Sequence, residues 1–319
     1  MAYSAGDPIL DDEYNIFVAS TSDPFGYNHF AGTGATTFGL NQASIATVSA
    51  GDAIAASNWN ALFTGIDNIA NHLNRSVTSS SVSAGDTIAI RSALVADLAN
   101  LAADVVAGGV NVTAVADRAA GTSTNGATYN VSSTIERSIT FANNATMRAF
   151  FNAGGSIKID PGISGSTDGD KDTVFNDLAN AVGVLEIKAH ATTRSGSGET
   201  ETSFDNGNGF HDLDGSYDSK IKLTSDNSGY TSNTMEIFAK LDAAVGSAVV
   251  ITIKMVCTDP NNDDTFTSGN PTTPGGAANP NECPAMVLAL TASEPTAAQG
   301  LAAAIQFASN AEVSNSVAN

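Results

Sequence analysis

Three near-identical phrases in the first ninety residues constrain this chain more than any other feature. Ser4-Ala5-Gly6-Asp7-Pro8-Ile9, Ser49-Ala50-Gly51-Asp52-Ala53-Ile54 and Ser83-Ala84-Gly85-Asp86-Thr87-Ile88 agree at five of six positions. The first two copies stay in register beyond the phrase, with Tyr14-Asn15 matching Trp59-Asn60 and Phe17-Val18 matching Leu62-Phe63. A repeat of this kind marks a small unit, used more than once, that cannot bury its own apolar face and docks on a neighbour. In each copy the glycine allows a turn, the aspartate can bond nearby backbone, and the isoleucine anchors the next segment to a core.

After the second copy, Trp59, Leu62, Phe63, Ile66, Ile69 and Leu73 recur at three-and-four spacing, which predicts an amphipathic helix over 57–73 with Ser57 as N-cap. After the third, Ile90, Leu94, Leu98, Leu101 and Val105 predict a second helix, stopped by Gly108-Gly109. The first copy offers only Tyr14 to Val18, read as an extended arm or one helical turn, and then a Gly- and Phe-containing loop over 23–39.

Past Gly126 the pattern changes to short β-type stretches: 129–141, 155–160, 184–193, 219–224, 234–239, 249–256 and 286–290. Short helices are expected at 144–151 and 173–182. The fold class expected is α+β and mainly β: a repeated arm and short-helix docking region over 1–110, then an antiparallel β-sandwich over 111–292. The Ala-rich segment 293–319, with Leu301, Ile305 and Ala308 at helical spacing, reads as a C-terminal helix or tail.

Charged residues make up only 14% of the 319, and the net charge is −20. Solubility then rests on Ser, Thr, Asn and Gly, as in rigid extracellular or virion β-proteins or in an acidic globule. Arg75, Arg91 and Arg118 are the only Lys or Arg residues among the first 120, which argues against a nucleic-acid or anionic membrane partner. No Sec-type signal opens the sequence and no apolar run is long enough to span a bilayer.

Candidate chemistry is thin. His29, His72, His190 and His211 lack metal-type spacing, and no cofactor is expected. The acidic stretches 168–172 and 259–264 resemble calcium loops but lack the terminal bidentate Glu, so solvated turns are the simpler reading. Asp205, His211, Asp212 and Asp214 could be drawn as an acid/base cluster or as a glycine-rich turn. GxSxG, P-loop and HExxH signatures are missing, and a non-enzyme is expected. Cys257 and Cys283 bracket a loop rich in Pro, Gly and Asn and are read as two thiols, with a disulfide as the alternative.

The chain resembles a family of virion structural proteins from tailed, cyanophage-like phages. The resemblance lies in the SAGDxI phrase followed by Asn58-Trp59-Asn60-Ala61-Leu62, in Met147-Arg148-Ala149-Phe150-Phe151-Asn152-Ala153-Gly154-Gly155-Ser156-Ile157, and in Asp172-Thr173-Val174-Phe175-Asn176-Asp177-Leu178. Phe175 stands where that family commonly has Trp. The resemblance implies a virion location and a structural part of tail, baseplate or fibre, with the repeats docking and the β-domain exposed; head decoration is an alternative. Short units that gain by packing on identical neighbours suggest a homo-oligomer, with a trimer as first expectation, alongside other virion proteins as partners. The expected assembly interface is Tyr14, Ile54, Trp59, Leu62, Phe63 and Ile88, with a core role for Trp59 as the competing reading. A host-surface glycan is an alternative partner, for which Tyr217, Tyr230 and Phe210 are the aromatic candidates.

Overall fold

Apolar residues at helical spacing in the first hundred residues fold as the pattern dictates. The computed structural model describes residues 11–22, 25–31, 42–73, 75–78, 80–83, 91–106, 115–165, 169–260, 283–297, 301 and 304–318. The first helices are α1 (Asp11–Ala19), α2 (Tyr27–Ala31), α3 (Ala56–His72) and α4 (Arg91–Val106). The stretch expected as an arm or single turn is thus the nine-residue helix α1, whose first turn carries Asp11, Asp12 and Glu13, favourable charges at a helix N-terminus. A short helix, α2, also interrupts the expected 23–39 loop.

The remaining elements are β1 (Val115–Thr124), β2 (Ser132–Thr140), α5 (Asn144–Asn152), β3 (Ser156–Ser164), α6 (Gly169–Val182), β4 (Leu185–Ile187), β5 (Thr192–Arg194) and β6 (Thr200–Phe204). After them come β7 (Asp218–Thr224), β8 (Thr234–Leu241), β9 (Val250–Thr258), β10 (Ala285–Pro295) and β11 (Ser309–Ala318). Two antiparallel sheets result, ordered β1-β10-β3-β4-β5 and β11-β2-β9-β8-β7-β6. The fold is α+β, mainly β, and of the β-sandwich kind.

The chain divides into two compact units, neither of them continuous in sequence. The first comprises 1–116, 145–155 and 294–306; the second comprises 117–144, 156–293 and 307–319. The expected division at 110 falls close to the first crossing at 116, but the first unit also recruits two later segments. The C-terminal segment is not the expected helix or tail. Residues 309–318 form β11, which pairs antiparallel with β2 from Ser309 against Thr140 to Ala318 against Ser132. Backbone pairing rather than alanine content governs here, because an extended edge strand needs only backbone partners on one side.

In the second unit, β8 alternates buried and half-buried residues along its whole length, with Met235, Ile237, Ala239 and Leu241 inward. In β7 the alternation breaks. A register shift between Ser219 and Ile221 lets Lys220 and Ile221 both turn inward, which is what a β-bulge does to the two residues it places opposite one.

Candidate functional site

The repeated phrases are read by asparagines. On α1, Asn15 donates from Nδ2 to the Val48 carbonyl (2.8 Å), and its Oδ1 accepts the Val48 N–H (2.9 Å). On α3, Asn60 makes the same pair with Val82, donating at 2.9 Å and accepting at 2.8 Å. Val48 and Val82 are the residues immediately before the second and third phrases, and Asn15 and Asn60 are equivalent in the repeat alignment. The helix of each of the first two modules therefore grips the backbone that leads into the next module. A further asparagine, Asn28 on α2, clamps Ile45 in the same two-bond manner (2.7 and 2.9 Å), so 45–48 is held at both ends.

Within the second phrase, Asp52 accepts the Ser49 N–H (3.1 Å), the local backbone bond expected of this aspartate. The N-cap of the helix after it is Ala55 and not Ser57, and Asn58, three residues on, accepts the Ala55 N–H at its Oδ1 at 2.9 Å. In the third module the position equivalent to Asn15 and Asn60 is Leu94, a buried core residue. There, Asp97 one turn further along α4 accepts both the Thr78 N–H (3.0 Å) and the Thr78 hydroxyl. Asp104, a further two turns on, holds Arg75 bidentately at 2.7 and 2.9 Å.

The apolar residues expected as assembly anchors lie inside the first unit. Tyr14 and Leu62 are fully buried, Trp59 and Phe63 nearly so, and Ile54 is half-buried against the same cluster; Ile88 lies outside the described residues. Tyr14 meets Trp59 edge-on at 5.2 Å and donates its hydroxyl hydrogen to the Asn58 carbonyl, while Trp59 stacks on Phe63 at 5.9 Å. These rings hold modules one and two together within one chain, the core role that was the competing reading for Trp59. A side chain already enclosed by its own core gains nothing more from a partner.

A second constellation lies in the β-unit. Lys171, in the first turn of α6, is ion-paired with Asp259, just past β9, and neither side chain has any solvent exposure. The Cys283 thiol donates to Asp259 Oδ2 at 3.4 Å. Tyr129, Cys257 and Phe175 are also fully buried, and Tyr129 and Phe175 meet edge-on at 5.6 Å. Burial, and then the Cys257, Cys283 and Asp259 groups beside it, push the Tyr129 hydroxyl well above its ordinary range, and burial pushes the Cys257 thiol up as well. Both cysteines are free thiols. Asp259 heads one of the acidic stretches read as solvated turns, and Lys171 interrupts the other. That these two residues meet was not legible from either stretch alone.

The remaining candidates resolve into local structure. Asp205 and Asp218 both pair with the bulged Lys220, at 2.7 and 2.6 Å. Asp212 accepts the Gly209 N–H and Asp214 the Ser216 N–H, the turn roles of the simpler reading. His211 stacks on His190 at 4.8 Å, and burial lowers the His190 pKa. Phe210 and Tyr230 are buried, while the half-buried Tyr217 ring is covered by the Lys254 and Lys240 ammonium groups at 3.8 and 4.3 Å. Among the described residues no group of three or more His, Cys, Asp or Glu is arranged to hold a metal ion. No described helix is long and apolar enough to cross a membrane. Compared with protein-family models, with curated proteins and with solved structures, the chain matches none.

Proposed function

We propose that the chain is a non-enzymatic structural component of a tailed-phage virion, associated with the tail, baseplate or fibre and acting as a homo-oligomer among other virion proteins. The observation that carries this reading is the serial construction of the first unit, in which equivalent asparagines fasten successive SAGDxI modules through the same pair of backbone bonds. That construction serves to hold segments in fixed relation, which is what a particle component does. The motifs that resemble the phage family fall on ordered elements: the SAGDxI-helix joint on α3, and the FFNAGGSI segment on the end of α5, a turn at Gly154 (φ +85°) and the start of β3.

With the apolar anchors enclosed, self-association falls to the polar surface and the open sheet edges. Among these the ten-residue β11, exposed over nearly all its length, offers the longest row of backbone groups on the six-stranded sheet. Head decoration uses the same properties. Two measurements test the reading together: native mass spectrometry of the full-length chain, and immunogold labelling of phage particles from a lysate in which the chain is produced. A discrete homo-oligomer and gold on tails are expected. A monomer at micromolar concentration, with particles left unlabelled, overturns the proposal, and gold on heads moves the assignment to decoration.

A further inference from the structure

We propose that Lys171 and Asp259 condense into an intramolecular amide bond that ties the start of α6 to the end of β9. The pair differs from the other lysine ion pairs described. Lys220 is equally buried, but its partners Asp205 and Asp218 are 22% and 43% exposed, and both ends of the Lys158–Asp117 pair reach water. At Lys171 and Asp259 both ends are at 0%. Beside them, Tyr129 and Cys283 adjoin Asp259, Cys257 adjoins Tyr129, and Phe175 meets Tyr129 edge-on; all four are themselves fully buried.

In the reaction a proton first passes from Nζ to the carboxylate, which gives an amine in contact with a carboxylic acid. An amine and an acid held together in this way react as one molecule rather than two, with the entropic cost of encounter already met in folding. The step balances without any further reagent. Nζ attacks Cγ, forming the C–N bond; Oδ2, carrying the first transferred proton, takes a second from nitrogen; the Cγ–Oδ2 bond breaks and water leaves. Three protons on the ammonium thus become two in the water and one on the amide nitrogen. Oδ1 remains as the amide carbonyl. The Cys283 thiol, which donates to Oδ2, assists the departure of that oxygen. Once water has left, the lack of solvent exposure at either side chain opposes its return to hydrolyse the bond.

Such a cross-link is independent of the proposed virion role. To detect it, natively folded full-length chain is denatured, its thiols are capped, and it is digested with trypsin. Residues 255–319 contain no Lys or Arg, and Lys171 is the only internal site in 159–188. The expected product is peptide 159–188, uncut at Lys171, joined to peptide 255–319 and lighter than their sum by one water. Cleavage at Lys220 serves as the control for digestion. Recovery of separate peptides ending at Lys171 and beginning at Asp172, with 255–319 at its unmodified mass, overturns the proposal and leaves an ion pair. Asp259→Ala is expected to abolish the joined product, and a joined product that survives this substitution overturns the assignment to Asp259.

Discussion

Replacing Asn60 by alanine removes both bonds that fasten the second module to the lead-in of the third. The donor reaches the Val82 carbonyl at 2.9 Å and the acceptor receives the Val82 N–H at 2.8 Å, and Val82 itself is only 9% exposed. Two neutral hydrogen bonds at about 1 kcal/mol each set the loss near 2 kcal/mol, rising toward about 4 kcal/mol if the Val82 groups stay buried and unsatisfied. Trp59, the neighbouring residue, is the only tryptophan in the chain and is 3% exposed, so its fluorescence during urea unfolding reports on this unit. The Asn60→Ala midpoint should fall with the slope unchanged. Asn71→Ala is the matched control: that side chain is exposed and bonds only along its own helix, to Asp67 at 3.2 Å, so its cost should stay within about 0.5 kcal/mol. Asn60→Asp separates the two halves of the clamp, since it keeps the acceptor but sets a carboxylate against the Val82 carbonyl; it should lose more than the alanine variant's donor bond alone. If Asn60→Ala costs no more than Asn71→Ala, the clamp contributes nothing and the modular account of this unit is wrong.

Alkaline pH should destabilise the fold over a defined window. Burial raises the Tyr27 and Tyr217 hydroxyls from 10.0 to about 12, so between these values the unfolded chain has released protons that the folded chain still holds. Stability is therefore fully present below pH 10 and declines as pH rises toward 12; urea midpoints across that range should show the decline, and Tyr27→Phe should flatten it. Just before the short 3-10 turn Phe210–Asp212, a Cβ added at Gly209 would sit 2.5 Å from the Ala191 nitrogen and the Lys188 carbonyl oxygen, backbone atoms that cannot swing away. Gly209→Ala should cost about 1–3 kcal/mol in thermal unfolding, whereas Gly207→Ala, whose Cβ meets nothing within 4 Å, should be close to neutral.

Periodicity alone located α3, α4, α5 and α6 and most of the sandwich strands, because each has an apolar face to bury. β1, β6 and β11 escaped for the complementary reason. β11 reads Ser-Asn-Ala-Glu-Val-Ser-Asn-Ser-Val-Ala and is exposed along nearly all its length, so no alternation of hydrophobicity marks it. Its strand character comes from pairing with β2, a partner more than 160 residues away in sequence that local patterning does not see. The clamps were half legible. The repeat register already aligned Asn15 with Asn60, but their partners are the backbone groups of Val48 and Val82, which any residue there would supply. An acceptor with no side-chain requirement leaves no trace in sequence. Lys171 and Asp259 were hidden differently, each inside an acidic stretch whose composition suggested water, while the fold brings the two together with no solvent exposure.

The third module shows why the series stops. Leu94 replaces the clamping asparagine and is spent on the core, and the carboxylates of α4 turn back to Thr78 and Arg75, residues that precede the third phrase rather than come after it. A helix committed to the segment before it has no equivalent grip for a fourth module after it, so the α4 end acts as a cap in the sense that terminal repeats do. The unit is then a closed set of modules and not an array that extends by adding copies of the phrase. Under the proposed role, assembly of many chains uses a different surface from the one that joins modules within a chain. On the six-stranded sheet that surface is restricted too: the shift between Glu312 and Ser314 puts Val313 out of register in the middle of β11, and a bulge at that place interrupts the row of backbone groups a second strand would need. A neighbour that adds to this edge can pair on either side of Val313 but not straight across it, which favours a partner shaped to the bulge over indiscriminate strand addition.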